Sequence, residues 1–455
     1  MADELRTPLP TQDERYAAGR ALRDRVKRGA LGRWRPAEHR PDPIDLIEEL
    51  HAGRLERLVP LRVGRMVASP YAFLRGSAAL MAEDFAGLPS TGVEPVICGD
   101  AHLGNFGFYA SPERNLVFDL NDFDEAHPGP WEWDLWRLTT SVWVAGRQNS
   151  LAEGTCEDAA LWCAAAYRRQ IRRLAGQPLL TRSFDRLDID RMQQEMADWS
   201  LRGEIERAAN LARGRTSDRA LPKLTRERAG VRRIVDQPPV VMHVSEQETD
   251  RLVDGLEAYL DTLRPHWRRV LSYYVVVDVA HKVVGVGSVG LRAFVALLQG
   301  NGAHDMLFLQ LKQARRSCVA RFVHGDTAWH AHQGQRVVEY QQTLQTVSDP
   351  LLGWTTVDNR DYYVRQFRDM KGAVTVEGLD GSALLDYARI CGTLLAKSHA
   401  RSTGATVLSG YLGKGDTVDR AFARFARAYA DQTEADHQAL LRATKSGRLP
   451  AEHGL

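Results

Sequence analysis

The segment 93–126 constrains the fold more than any other part of the 455-residue chain. Two short apolar runs, 93–98 and 115–120, have the length and composition of β-strands. Each run is followed by a loop rich in acidic and amide residues, GDAHLGN at 99–105 and NDFDEA at 121–126. The pattern therefore predicts a strand–loop–strand–loop unit that presents these polar side chains where its strands end.

The two loops contain the side chains that phosphoryl transfer requires. Asp100 is a carboxylate that can orient or deprotonate an attacking hydroxyl group. Asn105 offers an amide oxygen to a metal ion, and Asp122 offers a carboxylate at a strand end, with Asp124 as a second candidate. Single Asp and Asn residues often cap turns instead, but an ordered set is a more specific signal. Because Mg²⁺ binds through one or two carboxylates plus substrate phosphates, we predict that Asp100 is catalytic and that the other three hold Mg²⁺.

These loops and Asp134 resemble the catalytic and metal loops of aminoglycoside phosphotransferases and related kinase-like enzymes. In that family the pattern is HGDxHxxN, a strand, IDxxxA and a further aspartate. The spacing from Asp100 to Asn105 and from Asp122 to Asp134 matches it, whereas Cys98 stands where the family usually has histidine. The resemblance implies ATP as co-substrate and an α+β, two-lobed, protein-kinase-like fold, with a helical lobe and an antiparallel-sheet nucleotide lobe.

A β-rich block farther along the chain contains the glycine-rich sequence GVGSVG between two apolar runs. Glycines let backbone N–H groups approach phosphates, and a strand on each side distinguishes this loop from a dinucleotide-binding turn. The next apolar run, MLFLQLK, ends in a lysine, as in kinases, where that lysine contacts the nucleotide phosphates. A glutamate in the following helical stretch is its candidate partner, with Glu377 or another acid as the alternative. The predicted nucleotide-binding residues are Gly285, Gly287, Gly290, Lys312 and Glu339.

The order of these parts differs from that of kinases, in which the glycine-rich loop and the lysine precede the catalytic loop. The run 363–368 is predicted to join the lobes, and the segment 384–404 resembles the helix that normally leads into the catalytic loop. The chain would then be circularly permuted. Alternatively, the helix predicted at 70–86 is the one that precedes the catalytic loop, and the nucleotide lobe is an insertion. Both interpretations place the same residues around ATP.

Hydrophobic periodicity and turn residues divide the chain into four predicted regions. A helix is predicted to start at Ser69-Pro70, and longer ones at 252–271, 382–400 and 416–445. The first 45 residues are charged and rich in proline, which favours an arm on the surface over a core element. The regions are an N-terminal arm (1–45), a helical lobe with the catalytic and metal loops (46–250), a β-rich nucleotide lobe (251–370) and helices that return to the helical lobe (371–455).

Charge and composition argue against two classes of partner. Lys and Arg total 60 against 58 Asp and Glu, so no global field would attract nucleic acid or an anionic membrane. No apolar run approaches the roughly 18 residues of a membrane span, and the N-terminal sequence lacks the apolar core of a signal peptide. The five cysteines are widely spaced without a CxxC pair, which favours reduced thiols. We therefore predict a soluble cytoplasmic protein whose partners are a nucleotide and an acceptor.

Several further features have both a structural and a functional interpretation. The basic segment 213–233 is either a mobile loop over the cleft or a solvated linker. Arg75 could stabilise transferring phosphate charge or form a salt bridge with an acid such as Asp134. His102 is expected to order its own loop rather than act as a base. The tryptophans at helical spacing, which are predicted to be core residues, are Trp131, Trp133 and Trp136.

The whole chain also resembles a widespread bacterial family that is described only as a domain of unknown function. Its recurring segments are SPYAFLRG, CGDAHLGNFG, NDFDEAHPGPWEWDLWRL and LAKSHARS. This resemblance covers nearly all 455 residues and implies no particular substrate.

The leading hypothesis is ATP-dependent phosphoryl transfer to a small hydroxyl compound or a protein side chain, with Mg²⁺. Asp100 would orient the acceptor, while Lys312 and the glycine-rich loop would position the phosphates. An alternative enzyme would transfer AMP from the same nucleotide site, and a third hypothesis is a catalytically inactive nucleotide-binding regulator. The presence of the carboxylates and the amide that metal-assisted transfer needs favours an enzyme.

Overall fold

The computed structural model describes residues 8–187, 199–215, 221, 224–228, 231–283, 285–302, 305–323, 330–367, 369–402 and 404–452. These residues form an α+β structure with a helical part and an antiparallel sheet. The helical part is built from both ends of the chain, and the large sheet is built from the segment between them. The α+β class that the sequence predicts is therefore confirmed.

The helices begin where the sequence offers capping residues. Ser69 accepts a hydrogen bond from the amide of Ala72, and Pro70 follows it as the first helical residue, so the predicted start is confirmed. The described α-helices are α1 (Gln12–Arg25), α2 (Pro43–Glu49), α3 (Val59–Val67), α4 (Pro70–Gly76), α5 (Ala78–Ala86), α6 (Trp131–Gln148), α7 (Glu153–Ala175), α8 (Leu179–Ser183), α9 (Trp199–Arg213), α10 (Glu246–Leu260), α11 (Pro265–Leu271), α12 (Gln333–Leu344), α13 (Gly381–Arg401), α14 (Ala405–Leu412) and α15 (Thr417–Lys445).

The strands form one large sheet and three two-stranded pairs within the described residues. The large sheet has the order β11-β12-β10-β9-β8-β7, and all neighbouring strands are antiparallel. The strands are β1 (Val96–Ile97), β2 (Phe106–Ala110), β3 (Leu116–Leu120), β4 (His127–Pro128), β5 (Thr225–Arg228), β6 (Val231–Ile234), β7 (Val241–His243), β8 (Val275–Lys282), β9 (Ala293–Gln299), β10 (Met306–Gln313), β11 (Gly353–Val357) and β12 (Arg360–Gln366).

Helix α6 lies at the centre of the helical part and packs against α7, α13 and α15. Its residues from Trp131 to Gly146 are all buried, so the prediction that the three tryptophans are core residues is confirmed. Trp131 stacks on Tyr167 at a ring distance of 5.7 Å, and Trp136 stacks on Phe425 at 4.9 Å. A helix that is buried all round must provide partners for its charged side chains.

The two faces of the large sheet differ because side chains alternate along a strand. On β10, Leu309 and Leu311 face α10 and pack with Tyr259 in one hydrophobic cluster. Phe308 belongs to a different cluster on the opposite face. Lys312 shares the strand parity of Phe308, which directs it away from α10 and toward the helical part.

The predicted N-terminal arm contains a helix that packs on the helical part. Residues Gln12–Arg25 form α1, which packs against α14. The backbones approach so closely that a Cβ at Gly19 would overlap the carbonyl oxygen of Val407, and one at Gly410 would overlap that of Tyr16. The segment is therefore a mostly exposed helix that lies on the helical part, because two glycines allow a polar helix to pack closely.

The basic segment 213–233 also differs from a simple loop or linker where it is described. Strands β5 and β6 pair as a hairpin, and the amide of Ile234 donates to the carboxylate of Asp278 on β8 at 2.6 Å. Leu224 and Ile234 belong to the hydrophobic cluster on the sheet face that holds Phe308. Parts of the predicted mobile loop, 216–220, 222–223 and 229–230, lie outside the described residues.

Several predicted element boundaries change in the structure. The helix predicted at 252–271 is divided into α10 and α11 before Pro265, whose ring cannot continue a helix. The strand predicted at 93–98 is reduced to Val96–Ile97, which pairs with β4. The long helices predicted at 382–400 and 416–445 are present as α13 and α15. Among the described residues, no helix is long and apolar enough to cross a membrane.

Candidate active site

The predicted catalytic loop is fixed by a buried carboxylate beneath it. Asp134, on α6, accepts hydrogen bonds from the amides of Cys98 at 2.6 Å and Gly99 at 2.9 Å. Gly99 has a φ of +74°, which glycine adopts without strain. His399 on α13 approaches the same carboxylate with Nε2 at 3.1 Å. The aspartate whose spacing matches the kinase-like pattern thus orders the loop.

Asp100 faces the cleft and is held from behind by Arg137 of α6. The Arg137 Nε donates to one carboxylate oxygen of Asp100 at 2.6 Å, and its Nη2 approaches the same oxygen. Burial raises the pKa of Asp100 to about 7, the Asp122 charge adds to this, and Arg137 opposes it. Arg137 was not singled out from the sequence, although a lone arginine within an apolar helical run is a signal of a buried charge partner.

Asn105 is positioned by its own loop. Its side-chain Nδ2 donates to the backbone carbonyl of Asp100 at 2.7 Å, and its backbone carbonyl accepts from Asn121 at 2.9 Å. The amide oxygen of Asn105 is therefore the atom left to ligate a cation. The backbone contact also brings the catalytic loop next to Asp122, so the structure places these two predicted metal ligands side by side.

Lys312 reaches the metal loop from the sheet, although almost two hundred residues separate them in sequence. Its Nζ lies 2.5 Å from Asp124 Oδ2 and 3.8 Å from Asp122 Oδ1. The side chain of Lys312 is only 4% exposed, whereas that of Asp122 is 42% exposed. Burial by itself would lower the pKa of Lys312, but Asp122 and Asp124 raise it above its usual value. Lys312 is therefore a permanent cation at the junction of the sheet and the helical part.

Asp124 is occupied by protein partners on both of its oxygens. Oδ2 accepts from Lys312 and from Ser288 Oγ at 3.3 Å, and Oδ1 accepts from Tyr363 at 3.0 Å. Burial disfavours its charge, yet Lys312 and Tyr363 outweigh burial and hold its pKa below the ordinary value. Asp124 therefore acts here as the partner of Lys312, which leaves Asp122 as the more accessible carboxylate for a metal.

The predicted pair between Lys312 and Glu339 is not formed. Glu339, on α12, instead lies 2.5 Å from His330 and accepts a hydrogen bond from Gln335 at 2.8 Å. The prediction of this partner is therefore wrong, because Asp124 already compensates the lysine. The same helix does contact the metal loop, through Arg336.

Arg336 is fully buried on α12 and binds three backbone carbonyls. It donates to Ala126 at 2.5 Å, to Asp124 at 2.8 Å and to Arg315 at 2.9 Å. A guanidinium group has several donors in a fixed plane, so one side chain can fix several loops at once. Arg336 therefore ties the metal loop to the part of the chain that follows β10.

The glycine-rich loop connects β8 to β9 at the edge of the cleft. Gly285 and Gly287 line the cleft, and Ser288 reaches Asp124. Gly290 has a φ of +88° and does not line the cleft; its carbonyl accepts from the amide of Leu55 at 2.8 Å. The structure therefore places two of the three predicted glycines at the site, while the third shapes the loop.

The cleft is about 280 Å³ and combines residues from the sheet and from the helical part. It includes Asp100, Asn105, Asp122 and Lys312, which the sequence predicts to act together. It also includes arginines that sequence analysis did not assign, since they come from distant segments without a shared motif. The unassigned arginines are Arg54, Arg62, Arg315, Arg316 and Arg365.

Arg75 and His102 lie beside the catalytic loop. Arg75 lines the cleft, and Asp134 takes His399 and two backbone amides as partners rather than Arg75. His102 Nδ1 accepts from the amide of Gly104 at 3.1 Å, so it orders its own loop as predicted. Burial, together with Arg137 and Arg75, lowers the pKa of His102 well below its ordinary value. His102 is therefore a neutral imidazole with a structural role.

The residues fit a magnesium ion that is completed by substrate oxygens. Asp122 offers an accessible carboxylate, and Asn105 offers an amide oxygen, which is a small protein ligand set of the kind Mg²⁺ uses with phosphates. In the described part of the chain, no group of three or more His, Cys, Asp or Glu side chains could hold a metal by itself.

The comparisons with known proteins identify a family. A bacterial family described as "Uncharacterized protein conserved in bacteria (DUF2252)" matches residues 54–443. Because this match covers most of the chain, the chain belongs to that family. Neither the curated proteins nor the solved structures gave a match. The family description states no reaction, so a function must be argued from the site.

Proposed function

We propose that this member of the bacterial family is an ATP-dependent phosphotransferase with a two-lobed, protein-kinase-like fold that uses Mg²⁺. The observation that carries the proposal is the meeting of Lys312 with Asp122 and Asp124 in a cleft that also holds Asp100 and Asn105. Phosphoryl transfer needs positioned phosphates, a bound metal and an oriented hydroxyl group. These side chains could bind the phosphates and the metal and orient the hydroxyl group.

The reaction follows from the roles of these residues. The hydroxyl oxygen of the acceptor forms a bond to the γ-phosphorus of ATP, and the bond from that phosphorus to the β–γ bridging oxygen breaks. ADP leaves with the bonding electron pair, and the hydroxyl proton passes to Asp100. Lys312 and the glycine-rich loop hold the nucleotide phosphates, while Asn105 and Asp122 hold Mg²⁺, which neutralises charge on the phosphates when it is bound.

The order of elements in the sheet supports a kinase-like nucleotide lobe. The glycine-rich loop joins β8 to β9, Lys312 lies on the next strand, β10, and α12 and two further strands follow. Protein kinases likewise carry their lysine on the strand that follows the two strands joined by the glycine-rich loop, although here β7 precedes them as an additional strand. One departure is that Asp124, rather than a glutamate on the following helix, compensates the lysine.

A contact between α13 and the catalytic segment supports a circular permutation. Ser402, at the end of α13, accepts a hydrogen bond from the amide of Val96 at the start of β1, at 3.0 Å. Tyr387 of the same helix donates to the carbonyl of Leu103 at 3.0 Å. The helix thus ends where a kinase chain would enter the catalytic loop. We therefore favour a permutation over an inserted nucleotide lobe.

We also propose a cytoplasmic location. The cysteines at 98, 156, 163, 318 and 391 are all free thiols, and four of them are buried. Free cysteines are typical of a reducing compartment.

Magnesium-dependent ATP turnover and thermal stabilisation by ATP test the proposal. We expect ATP with Mg²⁺ to raise the melting temperature of the wild type, and Asp122→Ala and Lys312→Ala to remove that shift while remaining folded. Lys445→Ala, at the exposed end of α15, is the matched control. If ATP has no effect on the folded wild type, the kinase-like proposal is wrong. A product mass gain of about 329 Da instead of about 80 Da would indicate AMP transfer, and binding without turnover would indicate a regulator.

A further inference from the structure

The cleft carries more positive charge than a nucleotide needs. Besides Lys312, six arginines line it: Arg54, Arg62, Arg75, Arg315, Arg316 and Arg365. The carboxylates in the same lining are Asp100, Asp122, Asp124 and Glu125. Seven cations against four anions give a net charge of +3. ATP with one Mg²⁺ carries a charge of about −2, so the lining keeps a net charge of about +1 when it is bound.

The arginines come from both sides of the cleft. Arg62 is on α3 and Arg75 is on α4, whereas Lys312 and Arg365 come from the sheet. Arg62 is 1% exposed and donates to the carbonyl of Gly76 at 2.8 Å. Among the described residues, the Nε atoms of Arg62 and Arg75 are buried without a hydrogen-bond partner. Buried donors of this kind are costly unless a ligand supplies an acceptor.

The pKa values of Arg54 and Arg62 are lowered by burial and by neighbouring cations. Burial lowers the pKa of Arg54 to about 9, and the neighbouring Arg62 and Arg315 lower it further in the same direction. Burial also lowers the pKa of Arg62 to about 10, again with a contribution from Arg315. An anion placed among these side chains would relieve both the repulsion and the desolvation.

The segment at Arg54 and Leu55 is hydrogen-bonded to the glycine-rich loop. Arg54 Nη1 donates to the carbonyl of Val289 at 2.5 Å, and the amide of Leu55 donates to the carbonyl of Gly290 at 2.8 Å. These bonds join the segment that begins with Arg54 to the glycine-rich loop at the edge of the cleft. The cleft is about 280 Å³, which suits a small molecule better than a side chain on a protein surface.

We propose that Arg54, Arg62, Arg75 and Arg315 bind a phosphate group of the acceptor, which is a small hydroxyl compound that already carries a phosphate monoester. This rests on the proposed function and names its substrate class. The arginines hold the existing phosphate while a free hydroxyl of the same molecule faces Asp100. Transfer then forms a second phosphate ester by the bond changes given above, and the product is a bisphosphate. Guanidinium groups suit this role because they bind phosphate oxygens in pairs.

Binding of inorganic phosphate tests the subsite directly. Calorimetric titrations at constant ionic strength would use the wild type, the double variant Arg75→Gln/Arg315→Gln and the control Arg420→Gln on the exposed face of α15. Each protein is titrated alone and with saturating Mg²⁺ and a non-hydrolysable ATP analogue. We expect the double variant to bind phosphate about tenfold more weakly or worse. The control should match the wild type, and the ATP analogue should leave wild-type phosphate binding in place.

Three results would overturn the assignment. Loss of phosphate binding when the analogue is present would mean that the arginines serve the nucleotide. Unchanged phosphate binding in the folded double variant would mean that these arginines bind no anion. Acetate binding as tight as phosphate would exclude a phosphate-specific subsite. Binding of phosphate through the arginines without any binding of the analogue would leave the anion subsite standing while the proposed function fails.

Discussion

Arg137 controls the orientation of the proposed catalytic aspartate. It is 2% exposed and binds one oxygen of Asp100 through Nε, while its Nη2 also donates to the carbonyl of Leu74 at 2.8 Å. One carboxylate oxygen is therefore fixed toward α6. The other oxygen is the one that can accept a proton from a hydroxyl group in the cleft. A buried ion pair of this type contributes geometry more than stability.

Replacing Asp100 separates chemistry from nucleotide binding. Asp100→Asn keeps an oxygen acceptor for Arg137 but cannot take a proton. We expect ATP turnover to fall by about 100-fold or more, because general-base catalysis contributes at least that much. Thermal stabilisation by ATP with Mg²⁺ should persist, since Lys312 and Asp122 are intact. Asp250→Asn on the exposed face of α10 is the control. Turnover within about threefold of wild type would remove Asp100 from the mechanism.

Glu132 makes stability depend on pH. Its side chain is fully buried on α6, Oε1 accepts from the amide of Thr91 at 2.8 Å, and Oε2 has no partner among the described residues. Burial raises its pKa to about 7, although the Thr91 amide opposes this. The folded protein therefore holds this proton more tightly than the unfolded chain does. Its contribution to stability is lost as the pH rises from about 4.5 through about 7.

Glu132→Gln tests this linkage because glutamine stays neutral and keeps an acceptor for Thr91. At pH 8 we expect the variant to be more stable than wild type by roughly 1–3 kcal/mol, and the difference should shrink at pH 5. Urea denaturation at the two pH values measures it. Glu157→Gln, on the exposed face of α7, controls for the loss of a surface charge. A pH-independent difference would show that Glu132 is ionised in both states.

At the scale of single elements, the sequence predicts a helix or strand where the signal lies within the element itself. The apolar runs of β9 and β10 and the glycine-rich loop between β8 and β9 could be predicted, because short continuous apolar runs and turn residues are local signals. Helix α1 could not, since its docking depends on the close approach of Gly19 to the backbone of Val407, almost four hundred residues away. The hairpin of β5 and β6 was also missed, because its basic composition hides the burial of Ile234.

The docking of α1 can be tested at Gly19. Gly19→Val places side-chain atoms against the carbonyl of Val407, so α14 and α1 must separate. We expect a loss of about 1–3 kcal/mol in the free energy of unfolding and faster proteolysis within Gln12–Arg25. Gly154→Ala on α7 is the control, because a Cβ there meets open space. Equal stability of the two variants would mean that α1 is not held by this contact.

At the scale of the whole molecule, the site depends on contacts that no local pattern contains. Asp100, Asn105 and Asp122 could be predicted because they lie in two adjacent loops with fixed spacing. The partner of Lys312 could not, since any acid near the folded cleft satisfies a buried lysine and Asp124 lies closest. The arginines that line the cleft were missed for the same reason. Most of them come from segments near positions 54–75 and 315–316, which only the fold brings together.

Arg336 is the residue through which helix α12 holds the metal loop in place. Its three carbonyl partners lie in two separate segments, and its Nε also donates to Gln333 at 2.8 Å. Arg336→Met fills similar space but leaves buried carbonyls without donors. We expect a loss of about 3–5 kcal/mol in the free energy of unfolding, and weaker stabilisation by ATP with Mg²⁺, because the loop that carries Asp122 is no longer held.

Two further variants test whether the effect depends on the hydrogen bonds of Arg336 to the backbone carbonyls. Arg336→Lys retains the charge but has a single nitrogen in place of the planar fork, so it should recover only part of the stability. Arg264→Met, at the exposed start of α11, should match the wild type in both chemical denaturation and the ATP-induced melting shift. If Arg336→Met instead lowers stability while the ATP-induced shift stays at the wild-type value, Arg336 supports the fold but not the nucleotide site. The metal loop would then be positioned by the contacts of Asp124 with Lys312, Ser288 and Tyr363.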